Sequence, residues 1–347
     1  MDLDGTGQTR LTNDGGDDHS AQFSADGGQV VWQTDRDGNM NVYRMDGNGA
    51  NPMALTTNAA IDGEPSISPD GSQIAFSTDR DGNYEIYTMF SNGTSQVNIT
   101  SHASNDRFPR WAPDGSKIVF STDRDGSDEV YSMNPDGTSQ TNLTSNAGID
   151  NQAQFSPDGT KIAFTTDRDG DQEIYLMDAN GANPTQVTKN TNSDHTPSWS
   201  PDGTRVMFTS DRFGSFDVFS MDTGHGKLFR LTSDSGSDTD PDFAQIRSIG
   251  EAEVNTPKVR SIFIKNRGNA ALNVSSITSS DPQFALSASS LAIPASSQSQ
   301  VDVTFTPTST GFFVSTLMLT SDDPVTATAT ITISGKGFVP APDLLLV

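Results

Sequence analysis

The chain has 347 residues, no cysteine, 19% charged residues and a formal net charge of −24. The missing cysteines exclude disulfides and thiolate metal sites and leave the compartment open. The acidic excess repels phosphate backbones, so no nucleic-acid partner is expected, and no apolar run is long enough to span a membrane. The acid is unevenly placed. Residues 1–245 hold 15 Lys/Arg against 38 Asp/Glu, a net of −23, whereas residues 246–347 hold 6 against 7. Such a surface favours cations, basic proteins or simply solubility.

From the N-terminus, Met1 to Thr12 (MDLDGTGQTRLT) aligns with Met45 to Thr56 (MDGNGANPMALT), so the chain opens inside a repeat. No signal peptide precedes it, and a start in mid-repeat is expected to have lost its true beginning. The repeat then recurs every 44 residues without insertion. Its Pro-Asp-Gly glycine falls at Gly27, Gly71, Gly115, Gly159 and Gly203, with Ala for Pro in the first copy. Its Asp-Arg-x-Gly glycine falls at Gly38, Gly82, Gly126, Gly170 and Gly214. An apolar residue ahead of Thr falls at Leu11, Leu55, Ile99, Leu143, Val187 and Leu231.

The second copy shows what one period contains. Short strands are predicted at Pro65–Ser68, Gln73–Thr78, Glu85–Met89 and Val97–Thr100, separated by the turn sequences SPDG, TDRDG and SNG. Nothing in the period has helical spacing. Four antiparallel strands per repeat make a blade, and a period near 40 to 45 residues is that of a β-propeller. Five complete copies run to Thr232. A sixth opens at Asp238 to Phe243 (DTDPDF), with Phe243 in the place of Phe23, Ile67, Trp111, Phe155 and Trp199, and stops there. The expectation is a ring whose sixth blade draws on both chain ends, with Leu11 and Phe243 in one blade.

Past Ile246 aspartate thins out and the 44-residue spacing vanishes. Strands are predicted at Val259–Lys265, Leu272–Ile277, Phe284–Ser287, Gln300–Phe305, Phe313–Leu319 and Ala327–Ile333, the pattern of an immunoglobulin-like sandwich. The expected organisation is a propeller over 1–245, a sandwich over 246–338 and a linker or tail over 339–347.

Two resemblances follow from these residues. The repeat body, W-S-P-D-G-x-x-I-A-F-x-S-D-R-x-G…I-Y-x-M-D…L-T, resembles the TolB-type, WD-like propeller family over about two-thirds of the chain. That resemblance implies six or seven blades and a binding or scaffold role; related propellers also sit beside peptidase and lyase chemistry. The fragments SIFIKNRGNAALNVSSI, VDVTFTPTSTG, LTSDDP and ISGKG resemble the choice-of-anchor D module and the related ASH domains. This implies a non-catalytic module, often in secreted or surface-attached proteins.

Several constellations could carry chemistry. Asp18, Asp62, Asp106, Asp150, Asp194 and Asp238 recur ahead of the inner strand, and a ring of six carboxylates at a channel mouth could hold a cation. Arg36, Arg80, Arg124, Arg168 and Arg212 recur on the same face, and pairing with them makes structural staples instead, the reading these residues favour. The loop Asp37-Gly38-Asn39-Met40-Asn41 and its copies are rich in oxygen ligands, but their glycine sits where a hairpin needs it rather than where a calcium loop does. Calcium is the one ion these loops would suit; no cofactor is expected. His19 and His195 follow the repeated aspartate and could make a metal site, whereas His102 and His225 are out of register. Tyr43, Tyr87, Tyr131, Tyr175 and Phe219 are read as packing between blades. No GxSxG, HExxH, Walker or Rossmann pattern is present.

Two functions remain open. The leading one is a non-enzymatic, monomeric recognition or scaffold protein outside the cytoplasm, at the cell surface or in the periplasm. Its propeller face would bind a protein or cell-surface partner, a basic one by charge complementarity, and the sandwich would space or attach it. The other is a carbohydrate-binding or polysaccharide-degrading propeller with a metal-assisted site at the channel mouth. Apart from the two histidines, the repeat shows little blade-to-blade variation of the kind an enzyme site needs.

Overall fold

The computed structural model describes residues 10–338 other than 26, 48, 201–202, 225, 234–235, 243–246, 267–269, 296, 310 and 324–327. The chain divides into two compact units whose boundary in sequence falls between Gln245 and Ile246. All of the described elements are strands, and no helix among them is long and apolar enough to cross a membrane.

Among the described residues the first unit holds five four-stranded antiparallel sheets. Blade one is β1 (Asp18–Phe23), β2 (Gln29–Thr34), β3 (Asn41–Asp46) and β4 (Met53–Ala54). Blade two is β5 (Asp62–Ile67), β6 (Gln73–Thr78), β7 (Glu85–Phe90) and β8 (Val97–Asn98), and blade three is β9 (Asp106–Trp111), β10 (Ile118–Thr122), β11 (Glu129–Met133) and β12 (Thr141–Asn142). Blade four is β13 (Asp150–Phe155), β14 (Lys161–Thr166), β15 (Glu173–Asp178) and β16 (Thr185–Gln186), and blade five is β17 (Asp194–Trp199), β18 (Arg205–Ser210), β19 (Asp217–Asp222) and β20 (Leu228–Arg230).

The inner strand begins earlier than the sequence pattern suggests. Gly63-Glu64-Pro65 reads as a strand breaker, yet β5 starts at Asp62, because Glu64 takes φ 54° and forms a bulge between Gly63 and Ser66. A bulge admits one extra residue and bends the strand without ending it. The repeated aspartate therefore lies on the strand, opposite Thr78. The outer strand is shorter than predicted, at two residues in four of the blades.

Blades are joined by apolar packing between neighbours. Val31, Val42 and Leu55 of blade one pack with Ile67, Ile74, Phe76, Tyr87 and Met89 of blade two in one buried cluster. The threonine after that leucine is also structural: Thr56 Oγ1 accepts the Val42 N–H, and Thr100, Thr144, Thr188 and Thr232 repeat the bond. The Asp-Arg-x-Gly turn closes by a hydrogen bond from the Gly N–H to the Asp carbonyl, as from Gly82 to Asp79. Its glycines take φ from 100° to 113°, a conformation in which a Cβ is strained.

The start of the sixth copy holds a blade position. The Asp238 N–H donates to the Phe216 carbonyl as Asp62, Asp106, Asp150 and Asp194 do to the preceding blade, and Asp240 takes φ 52° like Ser20, Glu64, Phe108, Gln152 and Thr196. Asp242 Oδ2 accepts the Phe23 N–H of blade one, while Oδ1 accepts from Ser198 Oγ of blade five. Leu11 packs on Val30, Trp32, Tyr43 and Met45 of blade one, in the register where Leu55 packs on blade two. Phe243 and the tail at 339–347 lie outside the described residues.

The second unit is a sandwich. Its five-stranded sheet has the order β21 (Arg247–Glu253), β28 (Thr328–Phe338), β27 (Gly311–Ser321), β23 (Leu272–Ser279), β25 (Leu291–Ile293). The three-stranded sheet has the order β22 (Lys258–Asn266), β26 (Ser297–Phe305), β24 (Phe284–Leu286). β21 and β25 have no counterpart among the strands predicted from the sequence; β21 runs parallel to β28, and its alternation is weakened by Gly250. Ile262, Val274, Ile277, Phe284, Val301, Val303, Phe305 and Leu317 form its core.

Candidate functional site: the axial channel and its mouth

Each recurrent aspartate is fixed by the arginine of its own blade. Arg36, Arg80, Arg124, Arg168 and Arg212 meet Asp18, Asp62, Asp106, Asp150 and Asp194 at 3.1, 3.0, 2.9, 3.0 and 2.9 Å. In blades two to five the aspartate side chain is fully buried. The rest of the guanidinium is also occupied: Arg80 Nε donates to Thr78 Oγ1 and Nη1 to Gln96 Oε1, and its plane lies 4.6 Å from the Tyr87 ring centroid. The second oxygens of Asp62, Asp150 and Asp194 accept from Asn58, Asn146 and Asn190. Carboxylates engaged on both oxygens have little left to offer an ion. At Asp18, burial works to raise the carboxyl, but bonds from Thr12, Thr34, Trp32 and Arg36 outweigh it and hold it below the usual value. Asp238 has no such arginine, and its buried Oδ2 lacks a hydrogen-bond partner among the described residues.

The oxygen-rich turns serve the tyrosines. Asp37, Asp81, Asp125 and Asp169 accept from the hydroxyls of Tyr43, Tyr87, Tyr131 and Tyr175. Burial, then the aspartate, pushes each of these hydroxyls up to about 12. Blade five replaces both partners together, Phe213 stacking on Phe219 at 6.0 Å. Among the described residues no group of three or more His, Cys, Asp or Glu converges on a metal position. His195 lies edge-on to Phe216 at 5.1 Å, and burial holds its imidazole below the usual value against the pull of Asp240, Asp194 and Asp211. His19 lies on blade one opposite Gln33, and His225 falls outside the described residues.

Variation is concentrated nearer the axis, at positions outside the shared repeat motif. The left-handed bulge position reads Ser20, Glu64, Phe108, Gln152, Thr196 and Asp240 around the ring, and two residues on it reads Gln22, Ser66, Arg110, Gln154, Ser198 and Asp242. Comparing the copies column by column would have exposed both. In the second column the side chain bonds the neighbouring inner strand: Gln22 Oε1 accepts the Ile67 N–H, Ser66 Oγ the Trp111 N–H, Gln154 Oε1 the Trp199 N–H and Asp242 Oδ2 the Phe23 N–H. Arg110 cannot accept. It instead donates Nη1 to the Pro65 and Pro109 carbonyls at 3.4 and 3.1 Å.

Residues of both columns, though not Gln22, Glu64 or Ser66, line a cavity open to solvent, whose wall includes Phe108, Arg110, Gln152, Gln154, Asp240 and Asp242. Its charges are strongly perturbed. Burial lowers the Arg110 guanidinium, opposed by Asp242, Glu64 and Asp240. Burial raises Asp242 to about 6, against the Phe23 N–H, Arg110, Ser198 and Gln154. Glu64 is raised by burial too, although Ser77 Oγ and the Phe108 N–H donate to its Oε2. At the mouth the blades also differ: Arg107 lies over Tyr84 at 3.7 Å, and burial with nearby Asp123 raises Asp128 beside Asn151. The field along the axis is thus uneven, contrary to what similar blades suggest.

Comparison with known proteins follows the same division. An Ig-like domain profile described as HYDIN/CFA65/VesB-like matches residues 241–336. Among solved structures, TolB from Acinetobacter baumannii is similar with a TM-score of 0.61 at 24% identity, over 67% of this chain and 59% of that one. A putative TolB from Agrobacterium tumefaciens is similar with a TM-score of 0.58 at 27% identity, over 64% of this chain and 83% of that one. A chain of a nidogen/laminin complex, at 12% identity and a TM-score of 0.52, shares the fold over 61% of this chain and 79% of its own. A search of the curated proteins finds no significant match. The family profile for the TolB β-propeller domain matches residues 59–154 and 137–282, well over half of the chain. The chain belongs to the TolB β-propeller family.

Proposed function

We propose that this protein is a non-catalytic recognition module that works outside the cytoplasm. The propeller mouth meets a protein partner, and the Ig-like unit spaces or attaches it. The observation that carries this reading is the contrast between the arginine clamps, which repeat from blade to blade, and the rim above them, which does not. Positions equivalent to Arg107 read His19, Gly63, Asn151, His195 and Thr239, and those equivalent to Tyr84 read Met40, Asp128, Gln172 and Phe216. A repeat that varies on one face while its framework stays fixed is displaying a surface, and propellers gather such a face around their channel. The likeness to TolB chains supports a binding or scaffold role.

The test uses a photo-crosslinking residue in the full chain at Tyr84, at Phe216, and at Ser116 in the Pro-Asp-Gly turn at the opposite end of the blade. Incubated with surface and periplasmic extracts, the two mouth positions should give the same discrete protein adduct and Ser116 none. Equal labelling at all three, or adducts from Ser116 alone, would refute the assignment of the mouth.

A further inference from the structure

Beyond partner recognition at the mouth, we propose that the axial channel is a binding site for a small zwitterion bearing both an ammonium and a carboxylate, of the amino-acid or dipeptide class. Arg110 takes the carboxylate and Asp240 the ammonium. Three observations carry this.

The first is that Arg110 breaks a rule of its own column. Gln22, Ser66, Gln154 and Asp242 accept an N–H from the next inner strand, a bond that ties neighbouring blades. An arginine forfeits that bond, and its one contact to a neighbouring blade, from Nη1 to the Pro65 carbonyl, is long at 3.4 Å, so tying blades together uses only part of its donors.

The second is what Arg110 does instead. Among the described residues it makes no ion pair, and only Nη1 is engaged, by two carbonyls. Nε and Nη2 remain, and that edge of a guanidinium is the one that grips a carboxylate with two parallel bonds.

The third is that opposite charges share the cavity without closing on one another. Arg110, Asp240 and Asp242 all line it, and the two carboxylates act on Arg110 through space without reaching ion-pair distance. Asp242 is occupied by the Phe23 N–H and Ser198, whereas Asp240 has no hydrogen-bond or ion-pair partner among the described residues. The bulge residues around the ring share a left-handed backbone, from φ 50° at Ser20 to 54° at Phe108, which fixes the wall. A simple anion would meet two carboxylates and a simple cation would meet the guanidinium. A ligand carrying both charges satisfies each, and the amides of Gln152 and Gln154 and the ring of Phe108 are placed to contact its body.

The experiment is titration calorimetry on the full chain with free amino acids and dipeptides, each beside its N-acetyl and C-amide derivative. At least one free zwitterion should bind, and blocking either end should weaken it about tenfold or more. Arg110→Gln should abolish the preference for a free carboxylate, and Asp240→Asn the preference for a free ammonium, each with the thermal midpoint of the parent. No heat from any free zwitterion at millimolar concentration, or equal binding of free and blocked forms, would overturn the proposal. The blocked ligands decide the matter on the unmodified protein even if a variant fails to fold. Crosslinking at the mouth is independent of this outcome, so failure of one reading is distinguishable from failure of the other.

Discussion

Removing Arg80 separates a staple from an ornament. Asp62 is fully buried, whereas Arg80 retains 22% of its side-chain exposure, so the two single truncations are unequal. Arg80→Ala leaves a buried carboxylate with Asn58 as its remaining side-chain partner, and also strips a cation from the Tyr87 face and a donor from Gln96. Breaking such a pair from the arginine side should cost about 3–5 kcal/mol. Asp62→Ala leaves a guanidinium that can still reach water, Thr78 and Gln96, and should cost less, about 1–3 kcal/mol. For a unit of this size the larger loss lowers the midpoint by roughly 6–20 °C. The assay is thermal unfolding followed by tryptophan fluorescence, since Trp32, Trp111 and Trp199 all lie in the propeller and report that unit alone. The pair Asp62→Leu with Arg80→Met should recover much of the loss, because it leaves no charge uncompensated. Equal effects of the two single variants, or a double variant whose cost is their sum, would refute the reasoning.

Two further outcomes are expected. Glu173 is raised to about 7, chiefly by burial and also by Asp194 and Asp171, against a bond from the Asn190 N–H and the nearby Thr188 hydroxyl. Because the folded state holds this proton more tightly than the unfolded chain, stability falls as pH rises from about 4.5, the unfolded value, through 7. Glu173→Gln should therefore raise the midpoint at pH 8 by the equivalent of about 2 kcal/mol and leave it nearly unchanged at about pH 4.5; a pH-independent difference would show that the shift is not the cause. Calcium or a chelator should move the midpoint only slightly, and not at all in high salt, because the aspartates of blades two to five are held by arginine. A large calcium shift that persists in high salt would instead place a specific coordination site at the mouth.

The sequence alone determined the architecture. A fixed 44-residue spacing of turn glycines, with four strand signals per period and none of helical spacing, admits a propeller and little else. It also determined the clamps, because an aspartate and an arginine that recur together eighteen residues apart, as Asp62 and Arg80 do, must meet once the blade forms. Periodicity reports what every copy shares. It is therefore blind to residues whose importance lies in differing between copies, and Arg110, Glu64, Asp240 and Asp242 belong to that kind. Only the tertiary structure brings residues 44 apart in sequence to adjoining places on one wall, where the charge of each acts on the next. The same holds for the sixth position. From the sequence Asp238 to Phe243 is a fragment of a repeat, but in the ring Asp242 bonds Phe23 on one side and Ser198 on the other. A hydrogen bond between residues 219 apart closes the circle; the repeat register implies closure by both chain ends, but which groups meet there depends on the summed rotation of all the blades between them.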